Sequence, residues 1–232
     1  MKYYRYFELF LDIERQLCAN IQQIEYTTKS RSIFTPKISL LLLQACPLIE
    51  SYMVQLCTTS KTVKTHSLYS WDYNFKLWEA KNRVIKASGG KRSIATFPKF
   101  SYVIEKIFSL SGKECMFFYS ETFHNLHGDG HYSIFSPYKS LSSFVEYTGC
   151  IPKDRERFPT GLDTPKWWTA YNKIKHDMDE AENRVTYQVA IEAMAALFIL
   201  LSTADAEIET LEANGFIKNG SIKSRLFACK IS

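Results

Sequence analysis

Residues 167–177 read WWTAYNKIKHD, a run that combines large rings with an amide, two lysines and an imidazole. On a helix, Trp168, Asn172 and His176 lie four apart and share one stripe. Trp167, Tyr171, Ile174 and Met178 form the neighbouring stripe. A histidine beside such an apolar row is partly desolvated, which moves its proton affinity and suits it to acid/base work. Lys173 and Lys175 add positive charge, and Asp177 follows. The plainer reading is an aromatic-anchored helix whose Asn172 and His176 simply bond to neighbouring groups.

Two further clusters have chemical potential. His124, His127 and His131 fall within eight residues of FHNLHGDGHY, together with Asp129. Three imidazoles and a carboxylate could hold zinc with an open position. Their spacing matches no familiar zinc motif, and Gly128-Asp129-Gly130 explains itself as a chain reversal, so no metal is expected. The stretch from Phe75 to Arg92 carries Lys76, Lys81, Arg83, Lys86, Lys91 and Arg92 against a single Glu79. With Phe75 and Trp78 interleaved, it offers phosphate neutralisation and base stacking, the requirements of single-stranded nucleic-acid binding. A solvated charged face is the alternative. The chain holds no G-x-x-x-x-G-K-[ST], G-x-G-x-x-G or G-x-S-x-G, which sets aside P-loop nucleotide hydrolases and common serine hydrolases. No cofactor is expected.

These groups must be held in place by a frame, and composition supplies one. In 232 residues, 46% are hydrophobic and 15% aromatic, enough for a sizeable core, while 23% are charged. Disordered and fibrous classes are excluded. The net charge of +5 permits an anionic partner without requiring one. Six scattered cysteines form no C-x-x-C pair, and acidic residues interrupt the opening MKYYRYFELFLDIERQ, so no signal peptide is read. Reduced thiols in a cytoplasmic protein are expected. The apolar runs Ile38–Leu43 and Ala193–Leu201 are far shorter than the ~20 residues of a membrane span.

Apolar residues at three- and four-residue steps predict a helix over 3–26, through Phe7, Phe10, Leu11, Leu17, Ile21 and Ile24. A second runs from Pro36 to about Thr58, with Pro47 as an internal kink. Regularity fades over 59–163, read as an irregular central insertion. Within it, Trp71–Arg83 and Phe100–Leu110 have helical spacing, and 114–123 is β-prone. Thr164 as N-cap and Pro165 as first residue predict a helix over 165–178. A nearly all-apolar helix follows over Asn183–Ala206, and Asn219–Gly220 signals a small hairpin. The expectation is one all-α domain over 1–232, an up-and-down helical bundle with possible small β-hairpins.

An Asn-x-x-x-His helix opened by Pro-Lys-Trp-Trp and followed by an Ala/Leu-rich helix resembles the HEPN superfamily (higher eukaryotes and prokaryotes nucleotide-binding). The segment TPKISLLLLQACPLIESY is similar to that family's second helix, with Glu50 at its acidic position. The resemblance covers roughly residues 1–58 and 130–205. It implies a dimerising bundle associated with RNA or nucleotides. Such a protein is either a metal-independent ribonuclease of a bacterial defence or toxin-type system, or an inactive binding partner or scaffold. The family pattern is Arg-(polar)-x-x-x-His. Asn172 and His176 match, whereas Tyr171 stands at the arginine position. A guanidinium clamps developing phosphorane charge through paired donors; a phenol supplies one donor and no charge. Such a loss costs roughly 10²–10³ in rate. Lys173 or Lys175 is the available substitute.

Overall fold

Helical periodicity in the first segment buries one stripe and solvates the other. The computed structural model describes residues 3–59, 97–119, 132–144, 164–203, 217–218, 221–222 and 224–229. In it, α1 spans Tyr3–Gln23 and buries Tyr6, Phe7, Phe10, Ile13, Leu17 and Ile21. Helix α2 spans Pro36–Thr59. Thr35 caps it, accepting from the Ile38 amide through Oγ1 at 3.2 Å, and Pro36 takes the first position, where no amide hydrogen is needed. Pro47 lies on the exposed side, where the helix continues through it.

Within the region expected to be irregular, α3 covers Phe97–Phe108, with Phe97 and Ile104 buried. It packs against α2. Ser109 ends it in the left-handed region (φ 51°). Glu105 then accepts from both the amide and the hydroxyl of Ser111, at 2.8 and 2.5 Å, and holds the turn that follows. Strands β1 (Cys115–Phe118) and β2 (Tyr132–Phe135) pair antiparallel, Cys115 opposite Phe135.

Helix α4 covers Lys166–His176, α5 Ala181–Arg184 and α6 Tyr187–Thr203. The α6 side chains from Ala193 through Leu201 are all buried, so this helix is enclosed on every side. It packs against α1, α2, α4, β1 and the C-terminal strand β5 (Phe227–Cys229). Short strands β3 (Ile217–Lys218) and β4 (Ser221–Ile222) flank Asn219–Gly220 in the expected hairpin register.

Several expectations change. The protein is mostly helical but not all-α, because β2, β1 and β5 form a three-stranded antiparallel sheet in that order. The region 59–163 carries short elements that its helical spacing over Phe100–Leu110 and its β-prone stretch suggested. Its described parts supply α3, β1 and β2, and Phe97, Ile104, Leu110 and Phe117 join the same apolar core as the long helices. Pro165, not Thr164, is the N-cap residue of α4, and the Thr164 hydroxyl instead meets that of Thr169 at 3.0 Å. The helix expected over 183–206 is broken at Val185–Thr186. Thr186 restarts it, accepting from the Val189 amide, while the Ile33 carbonyl accepts from the Tyr187 amide at 2.9 Å. Helix α2 is long and apolar enough by composition to cross a membrane, yet half of its most apolar stretch is buried against the rest of the protein.

One polar group stitches the sheet to the helices. Glu14 interrupts the buried stripe of α1 at 1% exposure. Its Oε1 accepts from the Ser224 hydroxyl and from the amides of Arg225 and Leu226, both at 3.1 Å. Burial pushes its carboxyl pKa above the ordinary value, and these hydrogen bonds oppose the shift. Glu14→Ala removes the acceptor shared by the Ser224 hydroxyl and the amides of Arg225 and Leu226 and is expected to cost about 3 kcal/mol in urea unfolding. The folded chain holds the Glu14 proton more tightly than the unfolded chain. Stability from this group therefore rises as pH falls from above its folded pKa to below its ordinary value. The difference in unfolding free energy between wild type and Glu14→Gln should grow in that direction, read from urea midpoints between pH 7 and 4.

Candidate functional site

Helix α4 is fixed by its aromatic first half. Trp167 is fully buried and donates Nε1–H to the Pro137 carbonyl at 2.9 Å. Trp168 stacks on Phe97 with ring centroids 4.1 Å apart. These contacts set the rotation of the helix and hence what its last turn presents. Tyr171 and Ile174 stay buried, Asn172 is half-buried, and Lys173, Lys175 and His176 are exposed. The stripe of Trp168, Asn172 and His176 thus climbs out of the core toward water.

That is a correction. His176 is not a partly desolvated imidazole beside an apolar row; it stands exposed at the C-terminal end of α4. The helix stops there because Asp177 turns extended, its amide donating to the Lys173 carbonyl and its carboxylate accepting from the Asp179 amide. Met178, expected on the apolar stripe, falls beyond the end and is exposed. Neither the Asn172 nor the His176 side chain bonds to a described residue, and His176 is exposed. Lys173 and Lys175 also complement the negative end of the helix dipole, a purely structural use of the same charges.

The seam between α2 and α4 assembles a second set of groups. Cys46 and Glu50 lie one turn apart on α2, and Tyr171 and Lys175 one turn apart on α4. The Lys175 ammonium lies over the Tyr171 ring, 5.5 Å from its centroid. Burial raises the Glu50 carboxyl pKa, and Lys175 pulls it back. Burial, with added repulsion from the Glu50 carboxylate, raises the Cys46 thiol and the Tyr171 phenol. Both therefore stay protonated. Of the two candidate lysines, Lys175 faces the seam and Lys173 points to solvent.

The structure thus brings Glu50, Tyr171 and Lys175 together and sets Asn172 and His176 on the adjoining face. Cys46 was not foreseen, although its spacing from Glu50 in α2 is the signal that could have found it. Lys81, Arg83, Lys86, Lys91, Arg92 and Trp78 lie outside the described residues, as do His124, His127 and His131. Among the described residues no cluster of His, Cys, Asp or Glu could hold a metal. The groove of about 520 Å³ along α1, lined by Glu8, Leu11, Asp12, Glu14, Arg15 and Arg225, contains none of the candidate residues.

Comparison with protein-family models, curated proteins and solved structures returns no match.

The chemistry available is a charge and two proton carriers at a helix end: an open imidazole, an ammonium, and a carboxyl of raised proton affinity. Lys175→Met removes the cation opposing that rise. Carbon-13 NMR titration of Glu50 should then show its midpoint moving further up, and an unchanged midpoint would separate Lys175 from the seam.

Proposed function

We propose that the protein is a HEPN-like helical bundle of one domain that works on RNA or nucleotides through the exposed end of α4. The observation that supports this most directly is the exposed His176 beside Lys175, with Asn172 one turn earlier. In this reading His176 takes the proton of an RNA 2′-hydroxyl as that oxygen attacks phosphorus, or returns one to the leaving 5′-oxygen. Asn172 orients the phosphate, and Lys175 supplies the cation that the Tyr171 phenol cannot. Lys175 in turn lowers the proton affinity of Glu50 across the seam. The basic stretch from Lys76 to Arg92 would track the strand. A homodimer in the cytoplasm, within a bacterial defence or toxin-type system, is the setting that the family resemblance suggests.

A second reading has its own observation. Tyr171, at the position of the family arginine, is buried, and Lys175 rests on its ring. That arrangement suits a scaffold that keeps the helices and has given up the chemistry.

Labelled single-stranded RNA, incubated with purified protein in EDTA, separates the readings. Cleavage by wild type that falls at least roughly 100-fold in His176→Ala, with binding retained, is expected of the nuclease. Equal products from the two proteins, or none from either, would remove it. Binding without cleavage would leave an RNA-associated scaffold; no binding and no cleavage would sink the RNA proposal altogether.

A further inference from the structure

Strand β5 brings a cysteine opposite a cysteine of β1, at a position where the sheet can accept a crosslink. In the β1–β5 ladder Cys115 stands directly opposite Cys229. The parity of that position follows from the hydrogen bonds. The Phe118 amide donates to the Leu226 carbonyl at 2.8 Å, which makes Phe118 and Leu226 a hydrogen-bonded pair of the same register. Stepping along the ladder, Phe117 with Phe227 is non-bonded, Met116 with Ala228 bonded, and Cys115 with Cys229 non-bonded. Opposed residues at a non-bonded position are drawn closest, with Cα atoms about 4.5 Å apart and side chains on the same face. This separation falls within the Cα range of disulfides, about 4.4–6.8 Å.

Both thiols are free. We propose that Cys115 and Cys229 form an oxidisable pair, a cross-strand disulfide site that closes on exposure to a hydroperoxide. Cys229 is half-buried whereas Cys115 is fully buried, so Cys229 meets the oxidant first. Lys113 and the Ser202 hydroxyl both favour its thiolate, against a burial effect that still leaves its pKa raised. The thiolate attacks one peroxide oxygen; the O–O bond breaks, one water or alcohol leaves, and Cys229 becomes a sulfenic acid. The Cys115 sulfur then attacks the Cys229 sulfur. The S–S bond forms, the S–OH bond breaks, and the Cys115 proton departs with hydroxide as water. Two thiols are oxidised and one peroxide is reduced. Cys18, Cys46 and Cys57 lie on α1 and α2, where no strand register pairs them.

The crosslink ties the C-terminal strand to the central strand and closes a loop on the order of 100 residues. It acts on the attachment that Glu14 maintains through Ser224, Arg225 and Leu226. The test treats full-length protein with hydrogen peroxide, alkylates remaining thiols, and maps peptides under non-reducing conditions. A peptide linking Cys115 to Cys229 is expected, with a melting temperature higher by on the order of 10 °C and reversed by dithiothreitol. Cys229→Ala, at the less buried position, should fold, yield no linked peptide and show no such rise. Separate alkylation of both cysteines after oxidation, an intermolecular crosslink in place of the internal one, or an equal rise in Cys229→Ala would overturn the proposal.

Discussion

A helix that is apolar on every side must be wrapped, and α6 is such a helix. Its side chains from Ala193 through Leu201 leave no face that water can solvate. Each large side chain among them gains roughly 1.5–3 kcal/mol by leaving water, which no arrangement with α6 at the surface can match. Helices α1, α2 and α4 and strands β1 and β5 therefore take up positions around it. Phe10 of α1 and Phe227 of β5 both meet the Phe198 ring, at centroid distances of 5.7 and 5.8 Å. The Tyr138 hydroxyl reaches inward to the Ala196 carbonyl at 3.0 Å. Burial of one helix thus organises elements drawn from the whole length of the chain.

Enclosure has a polar cost, and the structure meets it with a few well-bonded groups. Glu14 and Glu105 are nearly inaccessible carboxylates, and each collects donors from a turn of the chain. Trp167 does the same as a donor toward Pro137. These bonds are directional where apolar packing is not. They select one seating for β5, one for the turn after α3, and one rotation for α4. The candidate site inherits that last choice. Because Trp167 and Trp168 are locked, the end of α4 presents Lys175 toward α2 and His176 toward solvent.

The seam of α2 and α4 shows how one arrangement serves both packing and chemistry. Tyr171 fills space against α2, yet its burial and the nearby Glu50 keep its phenol protonated. Lys175 covers that ring and lowers the proton affinity of Glu50 at the same time. The end of α4 thus carries a charge already coupled across two helices.

Local pattern was sufficient for α2 and nearly so for α1, which ends at Gln23 and not at 26, because their apolar spacing and the Thr35–Pro36 start belong to residues near one another in the chain. It was nearly sufficient for α4, off by a residue at its start, where Thr164 pairs with Thr169 instead of capping, and by two at its end, where Asp177 turns extended. It located a strand near 114–123 and a hairpin at Asn219–Gly220, since both signals are short-range. Asn172, Lys175 and His176 were legible because they sit on one helix. The sheet was not legible: β1 and β5 join distant parts of the chain, and nothing in either strand names its partner. The role of Glu14 was equally hidden, because its acceptor function depends on Leu226, 212 residues away. The exposure of His176 and the choice of Lys175 over Lys173 also came from tertiary packing. The anchoring of two tryptophans sets the rotation of α4, and no periodicity records where they anchor.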